Sequence, residues 1–174
     1  MQKLKSSVRF TLAFAVAALT GMIWTEPAAA KNVSNSHIER PILSGFFPAK
    51  LRFQVSSALR LASDQLFSRQ DCRDLYRRFG VEGRKALLAV TYRLAQTQTE
   101  ISLCSDRSAA AFTTVGGSST HLCPKLFASL SVHKAAVILI HESLHHSGMT
   151  EWPHDREALR STEINTLIRD RCGL

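Results

Sequence analysis

Two histidines and a glutamate stand at the spacing His141-Glu142-Ser143-Leu144-His145, a pattern that can do chemistry if it lies on a helix. Residues four apart on a helix share one face about a turn from each other, so both imidazoles can converge on one metal ion. Glu142 is turned by about 100° from His141 and can stand beside a water on that ion without binding the ion itself. Zinc brings the pKa of such a water toward ~7 and polarises a carbonyl under attack. Glu142 is then placed to accept the water's proton as general base and to pass it to the leaving amine. The plainer reading is a pair of histidines favoured by the dipole at a helix C-terminus. It gives Glu142 no task.

A catalytic zinc has three protein ligands and one open position. The chain continues His146-Ser147-Gly148-Met149-Thr150-Glu151, so the whole reads H-E-x-x-H-x-x-G-x-x-E. Gly148 permits a sharp turn that can bring the residue three further on back toward the ion. Glu151 is therefore the first candidate for the third ligand. His154 and Asp155, just past Pro153, compete for that place. So do Glu157 and Glu163, if a C-terminal helix crosses the active one. His146 points some 100° away from His145 and belongs around the site rather than on the metal. His121 is a candidate substrate contact, Trp152 a candidate subsite wall or packing residue, and His154 or Arg156 a candidate oxyanion stabiliser. His133 and His37 carry no signal.

The extended motif resembles that of metzincin peptidases, with Glu151 where those proteins carry His or Asp. The metzincin Met-turn has no counterpart, since no Met follows Met149. The stretch His141–Cys172 is also similar to a group of small secreted bacterial H-E-x-x-H proteins, through Gly148, Met149, Glu151, Pro153, Ser161, Thr162 and Cys172. That resemblance implies a zincin-like scaffold and brings no substrate with it.

The elements that must hold these residues can be read from the apolar pattern. Val132–Ser147 contains Ala135 to Ile140, apolar on every side, which predicts a helix running through the core rather than over the surface. Gly148 ends it and Pro153 prevents its immediate resumption. Helices are expected over Leu51–Phe67, Cys72–Phe79, Arg84–Leu94 and Ser161–Arg171. Thr99–Cys104, Ala110–Val115 and Thr120–Cys123 read as short strands of an antiparallel meander, with Gly116-Gly117-Ser118-Ser119 as a turn. One strand of that sheet is expected above the active helix, where an extended substrate could pair with it.

Export sets the redox context. Lys3, Lys5 and Arg9, the nearly polar-free run Phe10–Trp24, and Ala28-Ala29-Ala30 read as a signal peptide over residues 1–30 with cleavage after Ala30. The run is too short for the ~20 residues of a bilayer span. Residues 31–49 read as an irregular segment and 50–174 as the catalytic domain. Cys72, Cys104, Cys123 and Cys172 then lie in an oxidising compartment without C-x-x-C spacing, so two disulfides are expected, Cys104–Cys123 and Cys72–Cys172 being the favoured pairing.

The chain has 174 residues, 45% hydrophobic and 21% charged, with a formal charge of +8. Those values exclude a disordered polar tail and a polytopic membrane protein. Loss of residues 1–30 removes three basic residues and one acidic residue, leaving +6 on 144 residues. Lys and Arg are scattered, only Arg73, Arg77 and Arg78 clustering, so no nucleic-acid partner is expected. G-x-S-x-G and glycine-rich phosphate loops are missing, and bridged cysteines leave no thiol nucleophile. The sequence therefore predicts a zincin-like α+β single domain with a small antiparallel sheet and an active-site helix. It would be a monomeric exported hydrolase with one Zn2+ on His141, His145 and Glu151, Glu142 as general base, and a peptide or protein substrate. A non-catalytic, zinc-stabilised binding or inhibitor module on the same scaffold is the alternative.

Overall fold

The computed structural model describes residues 41–106 and 109–174. The expected signal peptide, its cleavage point after Ala30, residues 31–40 and His37 lie outside the described residues. Among the described residues seven helices and four strands follow one another as β1 (Ile42–Leu43), α1 (Ala49–Ser68), α2 (Gln70–Arg77), α3 (Gly83–Ala89), β2 (Thr91–Leu94), α4 (Gln98–Asp106), β3 (Ala111–Thr113), β4 (Ser119–Leu122), α5 (Pro124–Ser129), α6 (Val132–His146) and α7 (Ser161–Cys172). This is the mixed α and β composition expected from the sequence.

The all-apolar run forms α6, as its pattern demands. Ala135, Ala136, Leu139, Ile140 and Leu144 are fully buried, and α6 touches α1, α3, α7 and β3. Ser131 caps its N-terminus, the hydroxyl accepting from the Lys134 N–H. A helix closed in on so many sides has little freedom to shift. The helix α1 lies along α6 and contributes Leu51, Val55, Ala58, Leu59, Ala62 and Leu66 to the core, at the helical spacing read from the sequence.

The sheet differs from the expected antiparallel meander. Its order is β1-β2-β4-β3; β1 and β4 both run parallel to β2, and only β3 and β4 are antiparallel. Two local features of the chain explain the difference. The third helix stops at Ala89, because Val90 is extended and Thr91–Leu94 takes strand alternation, burying Tyr92 and Leu94 while Arg93 faces out. Thr99–Cys104 is helical rather than extended. Thr97 and Glu100 form a capping box there, Glu100 accepting from the Gln96 and Thr97 N–H groups while the Thr97 hydroxyl accepts from the Glu100 N–H. The chain between β2 and β4 thus contains α4 and β3, which is long enough for a parallel return.

Both expected disulfides form, Cys72–Cys172 and Cys104–Cys123. The first joins α2 to the end of α7. The second joins α4 to the residue that caps α5, rather than two strands. Among the described residues no helix is long and apolar enough to cross a membrane.

Candidate metal centre

The last turn of α6 is built to fold back on itself. The Gly148 N–H donates to the His145 carbonyl and the Met149 N–H to the Leu144 carbonyl, with Gly148 at φ +103°. This is the paired closure of a Schellman motif, which favours glycine at that position. It buries Met149 and turns the chain so that Glu151 returns beside the helix.

His141, His145 and Glu151 come together there. Each offers one ligand atom, and the three atoms lie within 4.8 Å of one another. His141 Nε2 and His145 Nε2 are 2.9 Å apart. Glu151 Oε2 stands 3.5 Å from the first and 3.9 Å from the second and, though buried, has no hydrogen-bond partner. The other face of each ring is taken. His145 Nδ1 donates to the Met149 carbonyl at 2.7 Å, and His141 Nδ1 to the Asn165 amide oxygen of α7 at 2.8 Å. Protons on both Nδ1 atoms leave lone pairs on both Nε2 atoms. Two lone pairs and one carboxylate oxygen within 4.8 Å of one another form a donor set that can hold a metal ion.

The electrostatics agree. Burial works to lower the His141 pKa, yet Glu151, Glu142 and Asn165 outweigh it and the net shift is upward. The proximity of His141 is the main influence holding the Glu151 carboxyl below the usual carboxylate range. Both shifts favour positive charge beside the Glu151 carboxylate.

Glu142 lies next to these residues without joining them. It is 6% exposed, and its Oε2 is buried with no partner. Burial pushes its carboxyl up, against the pull of His141, His145 and the Thr113 hydroxyl. The two intervening motif residues hold the helix in place: Ser143 hydrogen-bonds Tyr76 of α2 and donates to the Ile140 carbonyl at 2.8 Å, and Leu144 is in the core.

Comparison of the chain with protein-family models, curated proteins and solved structures gives no match.

The competing ligands are placed elsewhere. Asp155 organises the turn, accepting from the Thr150 hydroxyl at 2.9 Å and the Glu157 N–H at 3.0 Å. Glu163 closes the start of α7 by accepting from the Arg160 N–H. His154, Arg156 and Glu157 are exposed, as is His133. His146 ties α6 to the β3–β4 turn, through Nδ1 to the Gly117 carbonyl and Nε2 to the Thr120 hydroxyl. The turn reciprocates with Gly116 N–H to the His145 carbonyl. His121 sits between Arg93, whose Nε donates to its Nε2 at 3.0 Å, and Glu100, 2.9 Å from its Nδ1. Trp152 is half-exposed beneath the Arg160 guanidinium. Arg73 and Arg77 are engaged locally, with the Phe67 carbonyl and Asp74.

Sequence reading missed Asn165 and Thr113. Thr113 gives no local signal. Asn165 gives a faint one: a short amide between Ile164 and Ile168, at the edge of the apolar face of α7.

Proposed function

We propose that this chain is an exported, zinc-dependent hydrolase of peptide or related amide bonds on a zincin-like scaffold. The observation that carries the reading is the clustering of the two imidazole Nε2 atoms and the Glu151 carboxylate, with Glu142 beside them and its Oε2 without a partner. Two nitrogens and one oxygen from three side chains suit zinc, and leave its fourth position open. A purely structural site has no use for Glu142.

Bound zinc supplies Lewis acidity, acidifying water and polarising a carbonyl. Glu142 accepts a proton from the attacking water as its oxygen joins the carbonyl carbon, then delivers that proton to the amine nitrogen as the C–N bond breaks. Burial pushes its carboxyl up, which favours the proton uptake that the first step asks of it. His141 and His145 hold position because their Nδ1 protons are fixed by Asn165 and Met149. On one side of the sheet, β3 is an edge strand against α6. An extended peptide can add to that edge and lie across the motif. The two disulfides suit an oxidising compartment outside the cytoplasm. A peptide or protein substrate and a monomeric state, with no nucleic acid and no inserted span, complete the reading.

The test is digestion of a mixed peptide library by zinc-loaded wild type and by Glu142→Gln, with products read by mass spectrometry. The variant should keep its zinc and lose turnover by about 10²–10⁴-fold. A variant that keeps both zinc and full biological activity contradicts the enzyme reading and favours a non-catalytic binding or inhibitor module.

A further inference from the structure

The two candidate ligand histidines are oriented by acceptors of different kinds. The acceptor for His145 is the Met149 backbone carbonyl, part of the same turn that returns Glu151. No substitution can remove it. The acceptor for His141 is a side chain from another helix, the Asn165 amide oxygen at 2.8 Å. His141 is 3% exposed, so water has little room to replace that oxygen. An imidazole in water favours its proton on Nε2, the nitrogen that must be bare here. Something has to hold the proton on Nδ1.

The helix that presents Asn165 is fixed on both sides of it. Ile164 and Ile168 are fully buried, the start of α7 is closed by Glu163, and its end is bound to α2 by Cys72–Cys172. Asn165 therefore meets His141 as a fixed acceptor. It is also a neutral one, so among the clustered ligand atoms only Glu151 brings formal negative charge.

We propose that Asn165 is a positioning residue of the metal centre, setting the proton of His141 on Nδ1 so that the Nε2 lone pair faces the ion, and that its neutral amide sets the strength of metal binding. This rests on the reading of His141, His145 and Glu151 as a metal site. A partner behind a ligand histidine is worth about 10–100-fold in metal affinity. Loss of the acceptor weakens binding by that factor. A carboxylate in its place keeps the acceptor, adds charge and makes the imidazole a stronger donor.

Zinc affinity of the oxidised full chain, measured by competition with a chromophoric chelator, tests this in wild type, Asn165→Leu and Asn165→Asp. Melting temperatures with excess chelator report the fold separately. Asn165→Leu should bind about 10–100-fold more weakly than wild type at an unchanged metal-free melting temperature. Asn165→Asp should bind as tightly as wild type or more so, and Co2+ spectra should keep the wild-type band shape. A folded Asn165→Leu with wild-type affinity overturns the proposal. So does an Asn165→Asp that is as weak as Asn165→Leu, because packing and not the acceptor would then matter. Should Asn165→Leu fail to fold, Asn165→Ala and Asn165→Asp give the same comparison. A wild type that binds no zinc overturns the metal reading, and this inference with it. Binding by wild type that Asn165→Leu leaves untouched overturns this inference alone.

Discussion

The Nε2 atoms of His141 and His145 face each other across 2.9 Å, and the Nδ1 of each ring already donates to an oxygen. Neutral rings in that arrangement repel, because each points a lone pair at the other. A cation shared with Glu151 would turn the repulsion into coordination and would give the buried, unpartnered Glu151 Oε2 a partner. The motif spacing supplies the two nitrogens, and the turn at Gly148 supplies the oxygen.

That turn can be tested by itself. At φ +103° a side chain is strained even though the nearest atom to a built Cβ, on Phe79, is 3.9 Å away. Gly148→Ala should lose about 1–2 kcal/mol of stability to denaturant. It should also weaken zinc binding, since both the Met149 carbonyl and Glu151 are positioned through residue 148. Unchanged affinity would separate the turn from the centre.

The disulfides should be unequal. Cys72–Cys172 spans 100 residues and Cys104–Cys123 spans 19. Loop-closure entropy therefore assigns about 4–5 kcal/mol to the first and about 3 kcal/mol to the second. Paired Cys→Ser variants, compared by denaturant unfolding, should follow that order. The Cys72/Cys172 pair should also lose zinc affinity, because α7 carries Asn165, whereas the Cys104/Cys123 pair should not.

Acid should weaken the α4 anchor. N–H groups of Gln96 and Thr97 hold the Glu100 carboxyl down to about 2 from 4.5, over the opposing effect of burial and with help from His121 and the Thr97 hydroxyl. A carboxylate with a lowered folded-state pKa contributes stability above its unfolded value. That contribution is lost as pH falls from about 4.5 toward 2. Unfolding measured across this window should show a steeper loss in wild type than in Glu100→Gln. Parallel curves would remove Glu100 from the acid response.

Much of the centre could be read from the chain because its parts are local. His141, Glu142 and His145 lie within five residues, and Gly148 and Glu151 follow at once. The buried helix was equally legible from its unbroken apolar run. The sheet was not. Leu87-Leu88-Ala89 carries helical character up to the point where Val90 and Thr91 turn extended, and only pairing with β4 selects the strand. In α4 the capping box Thr97-x-x-Glu100 was present as a signal, but Ile101 and Leu103 read as strand alternation. The direction of β4 relative to β2 depends on what lies between them, and so on the tertiary fold. Asn165 stands 24 residues from His141, and nothing near it in the chain says which side chain it will meet.

The central claim is that His141, His145 and Glu151 together hold one metal ion. Calorimetric titration of the oxidised, metal-free chain with zinc tests it most directly, in wild type and in His141→Ala, His145→Ala, Glu151→Ala and His154→Ala. The result predicted is one ion per wild-type chain, binding lost or severely weakened in the first three variants, and binding unchanged in His154→Ala. Absence of binding by the wild type, or a Glu151→Ala variant that binds as well as the wild type, would contradict it.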